Sequence, residues 1–215
     1  MLIVLPTSLV QAEAYPSTYV PLPSGATLIT HATILTGTGK RLDDASLLIS
    51  DGKITFVGSG KVPKVVTTID ASGRGVTPGL IDVHSHLGVY ASPYVTAHSD
   101  GNEMTNPATL HVWAEHSVWP QDPGFARALS GGVTSLQVLF GSGNLIGGRG
   151  VTLKNIYSNS YQGMKFPGAP HGMKMACGEN PKRVYGDRKQ LPSTRMGNMA
   201  VYRDQWISAQ KYIDD

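Results

Sequence analysis

Residues 76–88 read VTPGLIDVHSHLG, and this stretch decides the fold. An apolar run, GLIDV, ends abruptly in His84, Ser85, His86 and a glycine. In a strand, positions i and i+2 share a face. His84 and His86 can then reach one metal ion from the C-terminal end of a buried strand, where barrel enzymes keep their active sites. A bare His-x-His is weak evidence, since most such pairs are simply exposed. The context strengthens it, because a run this apolar rarely ends in two polar rings without a function.

Upstream, residues 26–35 (ATLITHATIL) alternate and are β-branched, which predicts a strand. Residues 46–50 and 53–57 predict two more, joined at Asp51-Gly52, a preferred tight-hairpin pair. Residues 65–70 predict a fourth. Together, residues 26–75 form a small β-sandwich part. Residues 15–25 are Pro-rich and read as an extended linker. Residues 1–14 (MLIVLPTSLVQAEA) resemble the end of a secretory signal, with small residues at Val10 and Ala12 but no basic start. This predicts secretion or a periplasmic location, with a cytoplasmic one as the alternative.

Downstream, residues 121–130 predict a helix closed by Gly131-Gly132. Residues 133–140 (VTSLQVLF) predict a strand buried on both faces, and 141–150 (GSGNLIGGRG) a Gly-rich loop. The glycines match neither G-x-G-x-x-G nor the Walker pattern, so a tight loop explains them better than a phosphate cradle. Residues 172–177 predict a short apolar strand. Residues 193–212 predict a helix with Ser193 as its N-cap. Strands alternating with loops and helices indicate βα units.

Three segments, TPGLIDVHSHLG, GGVTSLQVLFGSGNLIGGRGVTLKN and MKMACGENPKRVYG, resemble the amidohydrolase superfamily, in its imidazolonepropionase-related branch. The resemblance runs from about residue 26 to the end. It implies an α/β fold: a (β/α)₈ TIM barrel, present in part over residues 76–215, preceded by a small β-sandwich domain. It implies hydrolysis of an amide or cyclic C–N bond in a small peptide-like or imidazolone-like substrate. It further implies one or two divalent metal ions, commonly zinc, that lower the pKa of a bound water and polarise the scissile carbonyl. By resemblance, His84 and His86 are metal ligands. Two residues suit the bridging ligand: Lys174, carbamylated within its strand, or Glu179 at the strand end. A charged lysine is costly to bury, and carbamylation makes it an anion that a metal neutralises.

From His84 to Asp215 there is room for about four βα units at ~30 residues each. The later His ligands and the general-base Asp of the family are therefore expected beyond residue 215, and the chain reads as an N-terminal part. The competing expectation is a non-catalytic fragment or assembly module with an incomplete metal site. An open half barrel would leave sheet edges free for other chains, so instability or self-association is expected.

Arg149 in the Gly-rich loop and Arg195 in PSTRMG are candidates for binding a substrate carboxylate. His111, His116, Trp113 and Trp119 read as a packing cluster. His98 with Asp100 and Glu103 reads as solvated, and His31 as structural. Lys182, Arg183, Arg188 and Lys189 read as a solvated basic face. Eighteen basic against fifteen acidic residues give only +3, which does not argue for nucleic acid. One cysteine, Cys177, excludes an internal disulfide framework and a Cys-rich zinc site. No apolar run is long enough to span a bilayer.

Overall fold

The computed structural model describes residues 14–62, 65 and 67–215. The signal-like stretch, apart from Ala14, lies outside the described residues. The first layer holds β1 (Thr27–Leu35), β2 (Arg41–Ser50), β3 (Lys53–Gly58), β4 (Thr67–Asp70) and β5 (Gly75–Val76). Their order is β3-β2-β1-β4, with β5 also on β1. β1–β2 and β2–β3 are antiparallel, while β4 and β5 run parallel to β1. Asp51 and Gly52 both take positive φ, 51° and 70°, the twist that a tight hairpin requires. Alternate residues Ala32, Ile34, Ala45 and Leu47 pack with Ala71 into a small core. β2 starts five residues earlier than the sequence suggests, because its pairing continues to Leu35. His31 is an exposed residue bonded to Asp44 at 2.8 Å, which holds its imidazole above its ordinary pKa.

The second layer begins with β6 (Leu80–Ser85). It lies parallel to β7 (Val133–Val138), and the crossover between them carries α1 (Pro123–Ser130). Asp122 caps α1, accepting from Gly124 N at 2.8 Å, with Pro123 at the first helical position. The same buried carboxylate accepts Gly88 N at 2.9 Å and Ser92 N at 3.3 Å. Asp122 thus fixes the loop that follows β6. Leu136 and Val138 of β7 pack with Phe125, Val89, Val118 and Met164 in the main core.

The chain then departs from the alternating βα pattern. β9 (Val151–Lys154) runs antiparallel to β7, and β8 (Ile146–Arg149) pairs antiparallel with β10 (Met173–Met175). The connection from β7 to β9 contains no helix, so the chain reverses instead of crossing over. α2 (Tyr161–Met164), α3 (Glu179–Gly186) and α4 (Arg195–Asp214) complete the fold. The result is a mixed α/β protein with several small sheets, and no barrel closes among the described residues. No helix among them is long and apolar enough to cross a membrane.

Four local expectations change. β6 is an edge strand, and Leu80, Ile81 and Val83 are 57%, 71% and 70% exposed rather than buried. β10 buries only Lys174, while Met173 and Met175 are exposed. α4 is capped by Thr194, not Ser193, through Gly197 N at 3.1 Å. Residues 15–19 are no free linker. Thr18 N donates to Gln162 O at 3.0 Å and Ser17 Oγ to Lys165 O at 2.7 Å.

Tyr185 of α3 is fully buried and donates to Asn144 Oδ1 at 2.5 Å. Burial pushes its hydroxyl up to about 12. Between pH 10 and about 12 the unfolded chain releases this proton and the folded chain keeps it, so stability falls as pH rises through that window. Tyr185→Phe is expected to flatten this alkaline loss, at a cost of about 1 kcal/mol at neutral pH for the missing hydrogen bond. Urea unfolding midpoints at pH 8 and pH 11 would check it.

Candidate metal centre

β6 delivers the two histidines. His84 lies near the end of the strand, its backbone N held by Asp82 Oδ1 at 3.0 Å, and His86 stands just past the strand end. The two rings lie 5.2 Å apart at 82°. His86 Nδ1–H donates to the carbonyl of Leu139 at 2.8 Å, directly after β7. This fixes the tautomer and leaves Nε2 with its lone pair free for a metal.

Lys174 arrives from β10, on a different sheet. Its Nζ stands 2.9 Å from His84 Nε2. The residue is 7% exposed, and no carboxylate pairs with it among the described residues. Burial lowers its pKa. The charge of Lys174, then burial, then His86 lower that of His84. Opposite Lys174 in the β8–β10 ladder is Gly148, whose φ is +116°. A Cβ there would strike the Val112 carbonyl, so glycine lets the 109–112 loop close on β8 through Arg149 N to Val112 O at 2.8 Å.

The fold therefore brings His84, His86 and Lys174 together. Two imidazoles suit zinc. An unpaired buried amine does not, unless it loses its charge. Its lowered pKa favours that neutral form. Among the described residues no three His, Cys, Asp or Glu side chains gather into a metal site, and the further polar side chain beside the two imidazoles is Lys174.

The other candidates lie elsewhere. Glu179 is exposed in the first turn of α3 and pairs with Arg183 at 3.3 Å. Arg149 neighbours Gly148 on β8, so its side chain leaves the opposite face from Lys174, and it stacks over Trp113 at 4.6 Å. Arg195 is the exposed first residue of α4. Trp113 also lies parallel to His116, with His171 nearby. The His98 ring lies tilted at 35° against Trp119, with ring centroids 4.4 Å apart.

Nothing in the local sequence pattern marks Tyr90 and Asn102. The Tyr90 ring meets that of His86 edge-on at 5.4 Å, and its hydroxyl accepts from Asn102. Asp122 does carry a local signal, since Asp-Pro-Gly at 122–124 is a helix-start signature.

No family model matches this chain. It is 34% identical over 180 residues to the amidohydrolase tasK of Hapsidospora irregularis, a match covering 78% of this chain and 18% of that protein. It is 32% identical over 124 residues to the imidazolonepropionase of Mycolicibacterium smegmatis, covering 47% of this chain and 28% of the relative. The crystal structure of an amidohydrolase from Thermotoga maritima superposes with a TM-score of 0.80 at 41% identity, covering 87% of this chain and 48% of that one. The chain thus spans less than half the length of the relatives it matches. It belongs to the amidohydrolase superfamily, and its kin are hydrolases of carbon–nitrogen bonds.

Proposed function

We propose that this chain carries part of the metal centre of a hydrolase that cleaves an amide or cyclic C–N bond in a small molecule. One observation carries the reading: Lys174 is a buried amine with no acidic partner among the described residues, set 2.9 Å from His84 Nε2. His84 and His86 would hold a divalent ion, zinc by donor chemistry. Lys174 would join them as a carbamate. Its neutral Nζ attacks carbon dioxide, an N–C bond forms, one C=O electron pair moves to oxygen, and the amine proton leaves to water. The product is an anion with two oxygen donors in place of an unpaired cation. Leu139 O keeps the His86 ring aimed, and Asp122 keeps the loop behind it from shifting. A metal bound here supplies activation of water and polarisation of the scissile carbonyl. In this reading β6, α1 and β7 are the first βα step of a (β/α)₈ barrel.

The test is zinc uptake. The chain, dialysed with zinc and bicarbonate, should retain at least one ion, and His84→Ala should not while keeping its circular dichroism. A folded chain that takes up no metal would overturn the proposal and leave the alternative of a non-catalytic module.

A further inference from the structure

Tyr90 returns to the metal centre from the loop after β6. Gly88 takes a φ of +80°, and the carbonyl of His86 accepts Val89 N at 3.2 Å and Tyr90 N at 3.0 Å. This single α-turn brings the side chain four residues on back beside the histidine that opened it. The Tyr90 ring then meets the His86 ring edge-on, with centroids 5.4 Å apart at 77°.

The far end of the Tyr90 ring is enclosed. A Cβ at Gly101 would collide with the outer ring atoms, and one at Gly141 with the hydroxyl and with Asn102. Neither glycine has a positive φ, so no left-handed backbone calls for glycine at these places. What both make room for is Tyr90. The two glycines are themselves joined, Gly141 N donating to Gly101 O at 2.9 Å. The Tyr90 hydroxyl accepts from Asn102 Nδ2, and Asn102 Oδ1 accepts Gly143 N at 3.0 Å. The holder therefore ties the loop after β6 to the loop after β7, the two segments that carry His86 and its Leu139 anchor. Tyr90 is nonetheless 45% exposed, so burial of apolar area is a poor account of so close a fit.

We propose that Tyr90 is a positioning residue for His86, fixed in place by Gly101, Gly141 and Asn102. The proposal rests on the reading of His86 as a metal ligand and adds a second restraint to its ring. The Nδ1 bond to Leu139 O holds one ring atom. The Tyr90 edge limits the tilt of the ring about that bond, so Nε2 keeps one direction. Neighbours that orient a metal ligand change metal affinity by about 10–100-fold.

Two readouts test it. The first needs no metal: long-range ¹H–¹⁵N spectra of the imidazoles, recorded in a chelator. The unsubstituted chain should show His86 as one tautomer with its proton on Nδ1. Tyr90→Leu should give nitrogen shifts averaged between tautomers, and Tyr90→Phe, which keeps the ring, should restore the parent spectrum. The second is zinc affinity by chelator competition, where Tyr90→Leu should lose about tenfold and Tyr90→Phe should match the parent. Gly101→Ala reports independently, because its methyl meets the outer ring atoms of Tyr90, which leucine lacks. It should weaken zinc binding and average the His86 shifts in the parent, and do neither in Tyr90→Leu. Unchanged His86 shifts and zinc affinity in a folded Tyr90→Leu would overturn the proposal, as would equal losses from Gly101→Ala in both backgrounds. Should Tyr90→Leu not fold, unchanged His86 shifts in Gly101→Ala would overturn it alone. If the parent takes up no zinc, the hydrolytic reading fails, while the spectra in chelator still decide whether Tyr90 orients His86.

Discussion

Lys174→Ala is expected to weaken zinc binding by more than ~100-fold, the loss that even outer-sphere partners of a metal can reach. Glu179→Gln is expected to leave it nearly unchanged. The contrast follows from placement. Lys174 is buried against His84, while Glu179 is exposed and engaged with Arg183. Competition with a chromophoric chelator gives both affinities. Growth in ¹³C-bicarbonate adds a readout independent of affinity. A carbamate carbonyl resonance should appear in the unsubstituted chain and vanish in Lys174→Ala. If Glu179→Gln lost zinc and Lys174→Ala kept it, the carboxylate would be the ligand and the lysine a buried bystander. Burial favours the neutral amine, so the carbamate should form at lower pH than on an exposed lysine.

Much of this centre was legible in sequence, for a physical reason. The i, i+2 spacing of His84 and His86 is local, and strand geometry alone gives it a shared side. Lys174 is different. Its meeting with His84 joins residues 90 positions apart across two sheets, which no local pattern encodes. Only the resemblance of its segment, MKMACG, to the superfamily pointed to it. The strand β10 reads as apolar in sequence, yet the lysine is inside and the methionines are out. A hydrophobic count along three residues cannot see which face meets the core. β6 shows the same gap. Its apolar residues predicted burial, yet it has one neighbour here and stays exposed. The basic run at 182–189 is the contrasting case: charge in such a segment is usually solvated, and Arg183, Arg188 and Lys189 are exposed as expected.

Lys165→Met is expected to destabilise the fold by about 3–5 kcal/mol, the usual cost of leaving a buried charge without its partner. Lys165 Nζ lies 2.7 Å from Glu115 Oε2, and Glu115 is only 1% exposed. The other oxygen of Glu115 has no partner among the described residues, so the lysine is the cation that compensates the charge. Lys165 also ties down the N-terminal segment, its Nζ donating to the Tyr15 carbonyl and its own carbonyl accepting from Ser17 Oγ. Losing the ammonium should therefore loosen residues 15–19 as well, which hydrogen exchange at Thr18 would register, since its N–H is bonded to Gln162 O. Glu115→Gln should cost less than Lys165→Met, because the amide oxygen still accepts from Nζ and Lys165 reaches solvent more easily. The double variant Lys165→Met/Glu115→Leu should recover most of the loss, since apolar side chains of similar size need no compensation. Urea unfolding of the parent, Lys165→Met, Glu115→Leu and the double variant forms a closed cycle. A single Lys165→Met that unfolded at the same urea concentration as the parent would show that the Lys165–Glu115 pair contributes nothing to stability.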